Sequence, residues 1–360
     1  MKRTVFVLLC VMLLLVFSGC SVLFFDTYYS EKDFTGNQSI DLDADIQMVH
    51  NYAELRRLVF DSMNNHVENM QLRFVGYSGN AVSDIASVCN AVKTESAYGA
   101  YCVDYVSYDL TQIVSYYEAS IAISYKYSSE EVSLLQTTNN HDSFVEILAE
   151  ELKRQSPKVV VKVNNGSSEN AVVVDLIEKT VREHPMAFSY YPEFSVKIYS
   201  GNSSQKIYEV GIKYDDNLNN EERIKHTTEK INSLVQAIVS DEDAKRIGNA
   251  AVQLQRICAF DGLAGNTAYD ACVIGQANSE GIASAFKAIC DKLDTECLVV
   301  KGKYKQSVHY WNIVKVDNAY YHIDVSAYDG FDAASCFKRD DEQQINYWWD
   351  QSVYPVCKGE

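Results

Sequence analysis

The stretch TAYDACVIGQANSEGIASAFKAICDKLDTECLVV, residues 267–300, decides the fold of the C-terminal part of this chain. From Ser279 onward its apolar residues recur at helical spacing, which predicts an amphipathic helix. Ser279 stands at the expected start of that helix, where serine is a favoured N-cap. Three segments that follow, CLVVKGK, VHYWNIVKVD and AYYHIDVSAY, have the pattern of strands. A helix followed by antiparallel strands predicts an α+β domain. The apolar stripe of the helix consists of Ile282, Ala283, Ala285, Phe286, Ile289, Cys290 and Leu293.

A hairpin between the last two strands is predicted to bring a histidine and an aspartate together. The dipeptide Asp-Asn at residues 317–318 is the expected turn, because asparagine tolerates the positive φ of tight hairpins. If the residues flanking this turn pair, Asp324 falls opposite Trp311. His309 shares that face of the sheet and lies diagonal to the carboxylate. A carboxylate bonded to one ring nitrogen fixes the tautomer and raises the basicity of the other nitrogen.

The order of these segments resembles the core of the bacterial transglutaminase-like superfamily. The resemblance rests on the helix start SEGIA, the strand HYWNIV and the strand YYHIDV, and it covers residues 255–330. It implies a papain-like fold with a Cys-His-Asp arrangement. By this resemblance, His309 is the catalytic histidine and Asp324 is the acid that orients it. Trp311 and Asn312 support the histidine strand, and Ser279 takes the position of the nucleophile.

Ser279 is the main departure from that family, which carries a cysteine at this position. A thiol has a pKa of about 8.5, which an imidazolium and a helix N-terminus can lower, whereas a serine hydroxyl must lose its proton during attack. Cys272 lies before the helix and Cys290 lies inside it, so neither is expected to face His309. Two interpretations stay open. The domain is a catalytically silent unit that binds or scaffolds peptide, protein or cell-wall material, or it is an amide-bond hydrolase or acyltransferase that uses Ser279, His309 and Asp324.

Two segments before this domain, residues 43–128 and 140–218, share one order of patterns. AVSDIASVCNAV in the first and AVVVDLIEKTV in the second each follow a short apolar strand. We interpret them as two repeated α+β modules with the order α-β-α-β-β, preceding a transglutaminase-like domain at 219–360. The polar stretches YSSEEVSLLQTTNNHDS and DDNLNNEER are the predicted linkers. A function of the modules as a protein-interaction arm is a third hypothesis.

The N-terminus has the pattern of a targeting segment. Lys2 and Arg3 precede the apolar run VFVLLCVMLLLVF, which is shorter than the roughly 20 residues of a membrane span and fits a signal peptide over residues 1–19. The following FSGC resembles a bacterial lipobox. That resemblance implies a lipid on Cys20, a tether over residues 20–42 and a location on the extracytoplasmic face of the cell membrane.

Charge and cysteine content bear on the possible partners, disulfides and cofactors of the chain. A formal net charge of −17 argues against nucleic acid as a partner. The eight cysteines after Cys20 permit disulfides, of which Cys89–Cys102, Cys290–Cys297 and Cys336–Cys357 are the simplest, and buried free thiols are the alternative. No CxxC or His-spaced cluster occurs, so neither a metal nor another cofactor is expected.

Overall fold

The first part of the chain is a four-stranded sheet with helices on one face. The computed structural model describes residues 46–215, 217–238, 240–326 and 336–359. In the sheet β1 runs parallel to β2 and the other pairs are antiparallel, in the order β1-β2-β4-β3. Its elements are β1 (Gln47–Val49), α1 (Tyr52–Asn64), β2 (Asn69–Phe74), α2 (Ala81–Thr94), α3 (Ala97–Cys102), β3 (Val103–Ile113) and β4 (Tyr116–Tyr125).

A second four-stranded sheet follows with the same connectivity, in the order β5-β6-β8-β7. Each sheet begins with a three-residue strand that the predicted α-β-α-β-β order lacks, since three residues are too few to show alternation. The stretch predicted as a linker before residue 140 contains a short helix and β5, so that assignment is wrong. The elements are α4 (Ser129–Ser133), β5 (Gln136–Thr138), α5 (His141–Lys153), β6 (Lys158–Val163), α6 (Asn170–Glu183), β7 (Glu193–Ser200) and β8 (Lys206–Lys213).

Helical spacing of apolar residues explains how each first helix packs on its sheet. Helix α1 buries Leu55, Val59 and Met63, which are four residues apart and lie on one face. A fully buried side chain of this size contributes roughly 1.5–3 kcal/mol. Both α1 and α5 begin after an asparagine, Asn51 and Asn140, whose side chain accepts a backbone N–H of the first turn.

The third part combines helices with an antiparallel sheet of order β13-β12-β11-β14, and the predicted α+β class is confirmed. A helix begins at residue 220, within the stretch predicted as a linker, and a π-helix lies at Asp270–Ile274. The elements are α7 (Asn220–Gln236), α8 (Asp243–Ile257), β9 (Ala259–Phe260), β10 (Gln276–Ala277), α9 (Ser279–Lys292), β11 (Cys297–Tyr304), β12 (Ser307–Val316), β13 (Ala319–Ile323), α10 (Asp340–Gln343) and β14 (Tyr347–Trp348).

The antiparallel sheet is covered on both faces. Helix α9 packs Phe286 and its neighbours against Val314 and Val316 of β12. The alternate residues of the same strand, including Trp311, face a second cluster formed with Trp349 of the C-terminal segment. Successive side chains of a strand point to opposite faces. Burial on both sides therefore fixes the register of β12, and with it the position of His309.

The thiols of the described residues do not form the predicted disulfides. Free and buried thiols are those of Cys89, Cys102, Cys258, Cys272, Cys290, Cys297 and Cys357. The three predicted pairings are therefore wrong, and the alternative of buried free thiols applies. Burial raises the pKa of the Cys89 thiol to about 12 and that of the Cys258 thiol to about 11. These side chains act as small apolar residues in the cores.

The targeting assignments lie outside the described residues. The signal peptide at 1–19, Cys20 and the tether at 20–42 remain predictions. Within the ranges that the structure describes, no helix is long and apolar enough to cross a bilayer.

Candidate functional site

His309 and Asp324 form a short hydrogen bond at one end of the sheet. The hairpin register is confirmed, since Val316 pairs with Ala319 and the ladder continues to Ile323. Asp324 follows directly after β13 and reaches back to the histidine. The distance from His309 Nε2 to Asp324 Oδ2 is 2.6 Å, and both residues are buried. The ring nitrogen engaged by the acid is therefore Nε2, and Nδ1 is the nitrogen available to a group in the neighbouring cleft.

Asp324 also accepts hydrogen bonds from Ser326 and Tyr347. The backbone N–H and the hydroxyl of Ser326 donate to Oδ1, at 2.9 and 2.6 Å. The Tyr347 hydroxyl donates to Oδ2 at 2.8 Å. A carboxylate with this set of donors is held as an acceptor, in a fixed orientation toward the histidine. Sequence reasoning missed both residues, although an aspartate followed two residues later by serine is a recognisable local turn pattern. No local signal points to Tyr347, which comes from β14.

Ser279 is the first residue of α9 rather than its cap. The N-cap is Asn278, whose side chain accepts the backbone N–H of Gly281 at 3.1 Å, so the predicted capping by Ser279 is wrong by one position. The Ser279 hydroxyl instead accepts the backbone N–H of Tyr310 at 3.2 Å. It forms no hydrogen bond with His309 among the interactions of the described residues. The side chain is thus tied to the strand of the histidine, but through that strand's backbone.

A cleft of about 490 Å³ is lined by two of the three predicted site residues. Ser279 and His309 both line it, and Asp324 lies behind the histidine. The lining residues are Phe260, Gly262, Asn278, Ser279, Tyr304, Ser307, Val308, His309, Tyr310 and Ser326. His309 alternates with Tyr310 along β12 and shares the Trp311 face, whereas α9 packs on the other face. The cleft therefore lies at the strand end, where the helix start meets β12.

Trp311 and Asn312 hold β12 in place from its two faces. The indole Nε1 of Trp311 donates to Nδ1 of the buried His322 at 2.9 Å. The amide Nδ2 of Asn312 donates to the carbonyl oxygen of Ala283 in α9 at 3.0 Å. These bonds connect the histidine strand to His322 of β13 on one face and to the helix of Ser279 on the other.

His322, Asp340 and Cys357 offer ligand atoms within 4.8 Å of one another, the spacing of a candidate metal site. The Trp311 indole occupies the Nδ1 lone pair of His322, so the proton of a neutral ring is on Nε2. That nitrogen donates to Asp340 Oδ1 at 2.9 Å. Burial lowers the pKa of His322, which favours this neutral form. A metal bound at Nε2 would displace the one proton of the neutral ring, because Nδ1 already accepts the indole N–H. We therefore interpret His322 and Asp340 as hydrogen-bonded residues that hold Trp311 in place.

Glu280, next to the predicted nucleophile position, is influenced by the charges of Arg182 and Glu178 of α6. Burial raises the pKa of its carboxyl, and the amide of Asn266 donates to it at 3.1 Å. Arg182 and Lys301 favour its ionised form, but desolvation is the larger effect. This carboxyl does not line the cleft.

Comparisons with known proteins give no family. No protein-family profile and no curated protein matches the chain significantly. Among solved structures, it is similar to one described as a transglutaminase, at 12% identity and a TM-score of 0.29, over 54% of this chain and 60% of that one. It is also similar to a candidate cysteine protease from Cytophaga hutchinsonii, at 9% identity and a TM-score of 0.26, over 46% and 70% of the two chains. The chain thus spans less than two thirds of the transglutaminase.

Proposed function

We propose that residues 219–360 form a transglutaminase-like domain that binds peptide or cell-wall material without cleaving it. The observation that carries the proposal is the bonding of Ser279. Its hydroxyl accepts the Tyr310 N–H at 3.2 Å and makes no hydrogen bond to His309 among the described residues. A serine nucleophile needs a base within about 2.6–3.2 Å to take its proton. The helix start supplies only about 0.3–1 kcal/mol, which cannot ionise an alcohol by itself.

The walls of the cleft suit a polypeptide. Phe260 and Val308 are 52% and 62% exposed and supply apolar surface on the cleft wall. Ser307 and Asn278 add polar groups to the same wall. A mostly apolar groove with a few placed polar groups is the usual composition of a ligand site.

The binding proposal is tested by sedimentation of the purified full chain with insoluble peptidoglycan sacculi. We expect the protein to sediment with the sacculi without releasing peptide fragments, as measured by mass spectrometry of the supernatant. Val308→Arg should weaken this binding by filling the cleft. The matched control is Val353→Arg, because Val353 is 65% exposed and does not line the cleft. Equal binding by the two variants would contradict the proposal.

A second candidate function is an amide-bond hydrolase or acyltransferase. The short His309–Asp324 bond beside a cleft that also contains Ser279 favours it. In this mechanism Ser279 Oγ attacks the substrate carbonyl while its proton moves to His309 Nδ1, and Asp324 stabilises the imidazolium through Nε2. Backbone N–H groups of the α9 start would hold the oxyanion, and the leaving amine would take the proton from the histidine.

A fluorophosphonate probe separates the two functions. We expect no labelling of the native chain at residue 279. Labelling that disappears in Ser279→Ala and is retained in a cleft-distant serine variant such as Ser352→Ala would favour the hydrolase. The modified residue is identified by peptide mapping.

We further propose that the chain is anchored to the extracytoplasmic face of the membrane through lipid on Cys20. The support is the sequence FSGC after a positively charged start and an apolar run. Metabolic labelling with an alkyne fatty acid tests this. Incorporation that is lost in Cys20→Ala supports the anchor, and equal incorporation in both chains contradicts it.

A further inference from the structure

A groove of about 660 Å³ lies on the first sheet and shares no residue with the Ser279 cleft. It is formed where β2 and β3 begin and where β4 ends. Asn69 starts β2, Tyr105 is near the start of β3, and Tyr125 ends β4. These three positions lie side by side because β4 lies between β2 and β3 in the sheet.

Aromatic rings form one rigid wall and one exposed platform of the groove. The rings of His66 and Tyr125 are stacked, with centroids 3.7 Å apart. The Tyr125 hydroxyl donates to the carbonyl oxygen of Val67 at 3.1 Å, and Tyr98 bonds to Nδ1 of His66 at 3.3 Å, so this wall is fixed. Tyr105 is 58% exposed on the edge strand β3, which leaves its ring accessible from the groove.

The groove is also lined by three polar side chains whose donors and acceptors have no bonding partner among the described residues. Glu68, Asn69 and Lys126 line it, and their side chains make no hydrogen bond or ion pair with other described residues. They supply a carboxylate, an amide and an ammonium group around the aromatic rings. Such a set contains both donors and acceptors, so it matches a ligand that presents many hydroxyl groups.

The second sheet has a cavity at the equivalent place, and the charged side chains of the two cavities can be compared. This cavity of about 350 Å³ lies where β6 and β7 begin and β8 ends, and it contains Phe194. Its charged residues, Glu193 and Lys213, pair with each other at 3.0 Å. In the first groove, the side chains of Glu68 and Lys126 form no such ion pair with any described residue.

We propose that the groove on the first sheet binds a neutral oligosaccharide. The C–H face of a sugar ring stacks on Tyr105, and its hydroxyls bond to Glu68 and Asn69. An amphipathic ligand of this kind matches a site that joins aromatic faces to polar side chains. The net charge of −17 and the carboxylate of Glu68 oppose a polyanionic ligand.

Isothermal titration of the full chain with tetra-N-acetylchitotetraose and with cellotetraose tests the proposal. We expect saturable binding of at least one of them, and a loss of about tenfold or more in affinity for Tyr105→Ala, as for a residue that carries a main share of binding energy. The matched control is Tyr108→Ala, because Tyr108 is also exposed on β3 but does not line the groove. It should bind like the native chain.

Two results would overturn the proposal: no saturable binding of either oligosaccharide, or the same loss in both tyrosine variants. Binding should also be unchanged in Val353→Arg, since Val353 lines neither the groove nor the Ser279 cleft. Peptidoglycan sacculi carry glycan chains as well as peptides, so their sedimentation is also measured with Tyr105→Ala. A loss confined to Val308→Arg belongs to the Ser279 cleft, and a loss confined to Tyr105→Ala belongs to the groove.

Discussion

Replacing Ser279 by cysteine should create a reactive thiolate if the histidine and the helix start are arranged as the structure indicates. The new thiol would lie at the first residue of α9, within reach of the Tyr310 N–H that the serine hydroxyl now accepts. It would also share the cleft with His309, whose Nε2 is held by Asp324 at 2.6 Å. A helix N-terminus and a neighbouring imidazolium both stabilise a thiolate.

The introduced thiol should be ionised to a much larger fraction at neutral pH than buried native thiols. Thiols in such surroundings have a pKa of about 3.5–7.5, so most of the introduced thiol should be ionised at neutral pH. Burial raises the pKa of Cys258 to about 11 and of Cys272 to about 12. Even the Cys258 thiol is then ionised to only about one part in ten thousand at pH 7. The introduced thiolate should therefore be distinguishable from buried native thiols such as these two.

The assay is thiolate absorbance during a pH titration, combined with iodoacetamide alkylation at pH 6 and peptide mapping. Ser279→Cys should show one thiolate that forms well below the pH of an ordinary thiol, and alkylation at residue 279. The double variant Ser279→Cys/His309→Ala is the control and should return the thiol toward a pKa of about 8.5. An introduced thiol that ionises at or above that value, or that is insensitive to His309, would refute the assignment of His309 as its partner.

Three further predictions concern the support of the site. Gly302→Ala should destabilise the fold by about 1–3 kcal/mol in denaturant unfolding, because a Cβ there would lie 2.3 Å from a backbone oxygen of β14. Gly262→Ala, which has nothing within 4 Å of the added Cβ, should unfold like the native chain, and equal midpoints for Gly302→Ala and Gly262→Ala would contradict the argument. Trp311→Phe should cost about 1–3 kcal/mol, because it leaves the buried Nδ1 of His322 without its donor; an unchanged midpoint in urea would count against that bond. Burial raises the pKa of the Glu280 carboxyl in the folded chain, so its ionisation lowers the free energy of unfolding. This loss is absent below the pKa of the unfolded chain and grows as pH rises through the pKa of the folded chain. Glu280→Gln should therefore raise the melting temperature at pH 8 but not at pH 4, and calorimetry showing the opposite trend would exclude this reading.

The local parts of the site could be predicted from the sequence. The apolar stripe after Ser279 predicted the helix, because its spacing matches one helical face. The Asp-Asn turn at 317–318 predicted the hairpin register, because a tight turn leaves little freedom in how the flanking residues pair. Together these patterns placed His309 beside Asp324. Assignment of the helix cap was wrong by one residue, since Asn278 and Ser279 are both good caps and only the backbone geometry distinguishes them.

Contacts between distant segments were decided by the tertiary structure alone. Tyr347 reaches Asp324 across 23 residues, and Ser279 accepts a hydrogen bond from Tyr310 across 31 residues. Neither pairing has a periodic signal, because both depend on how β14 and the start of α9 pack around β12. Whether the cysteines form disulfides was also decided by the tertiary structure. The sequence gives the number of cysteines, but only packing decides which of them lie near each other. The sequence by itself thus determined the helix, the hairpin and the proximity of His309 to Asp324, whereas the hydrogen bonding of Ser279, on which its chemistry depends, required the folded chain.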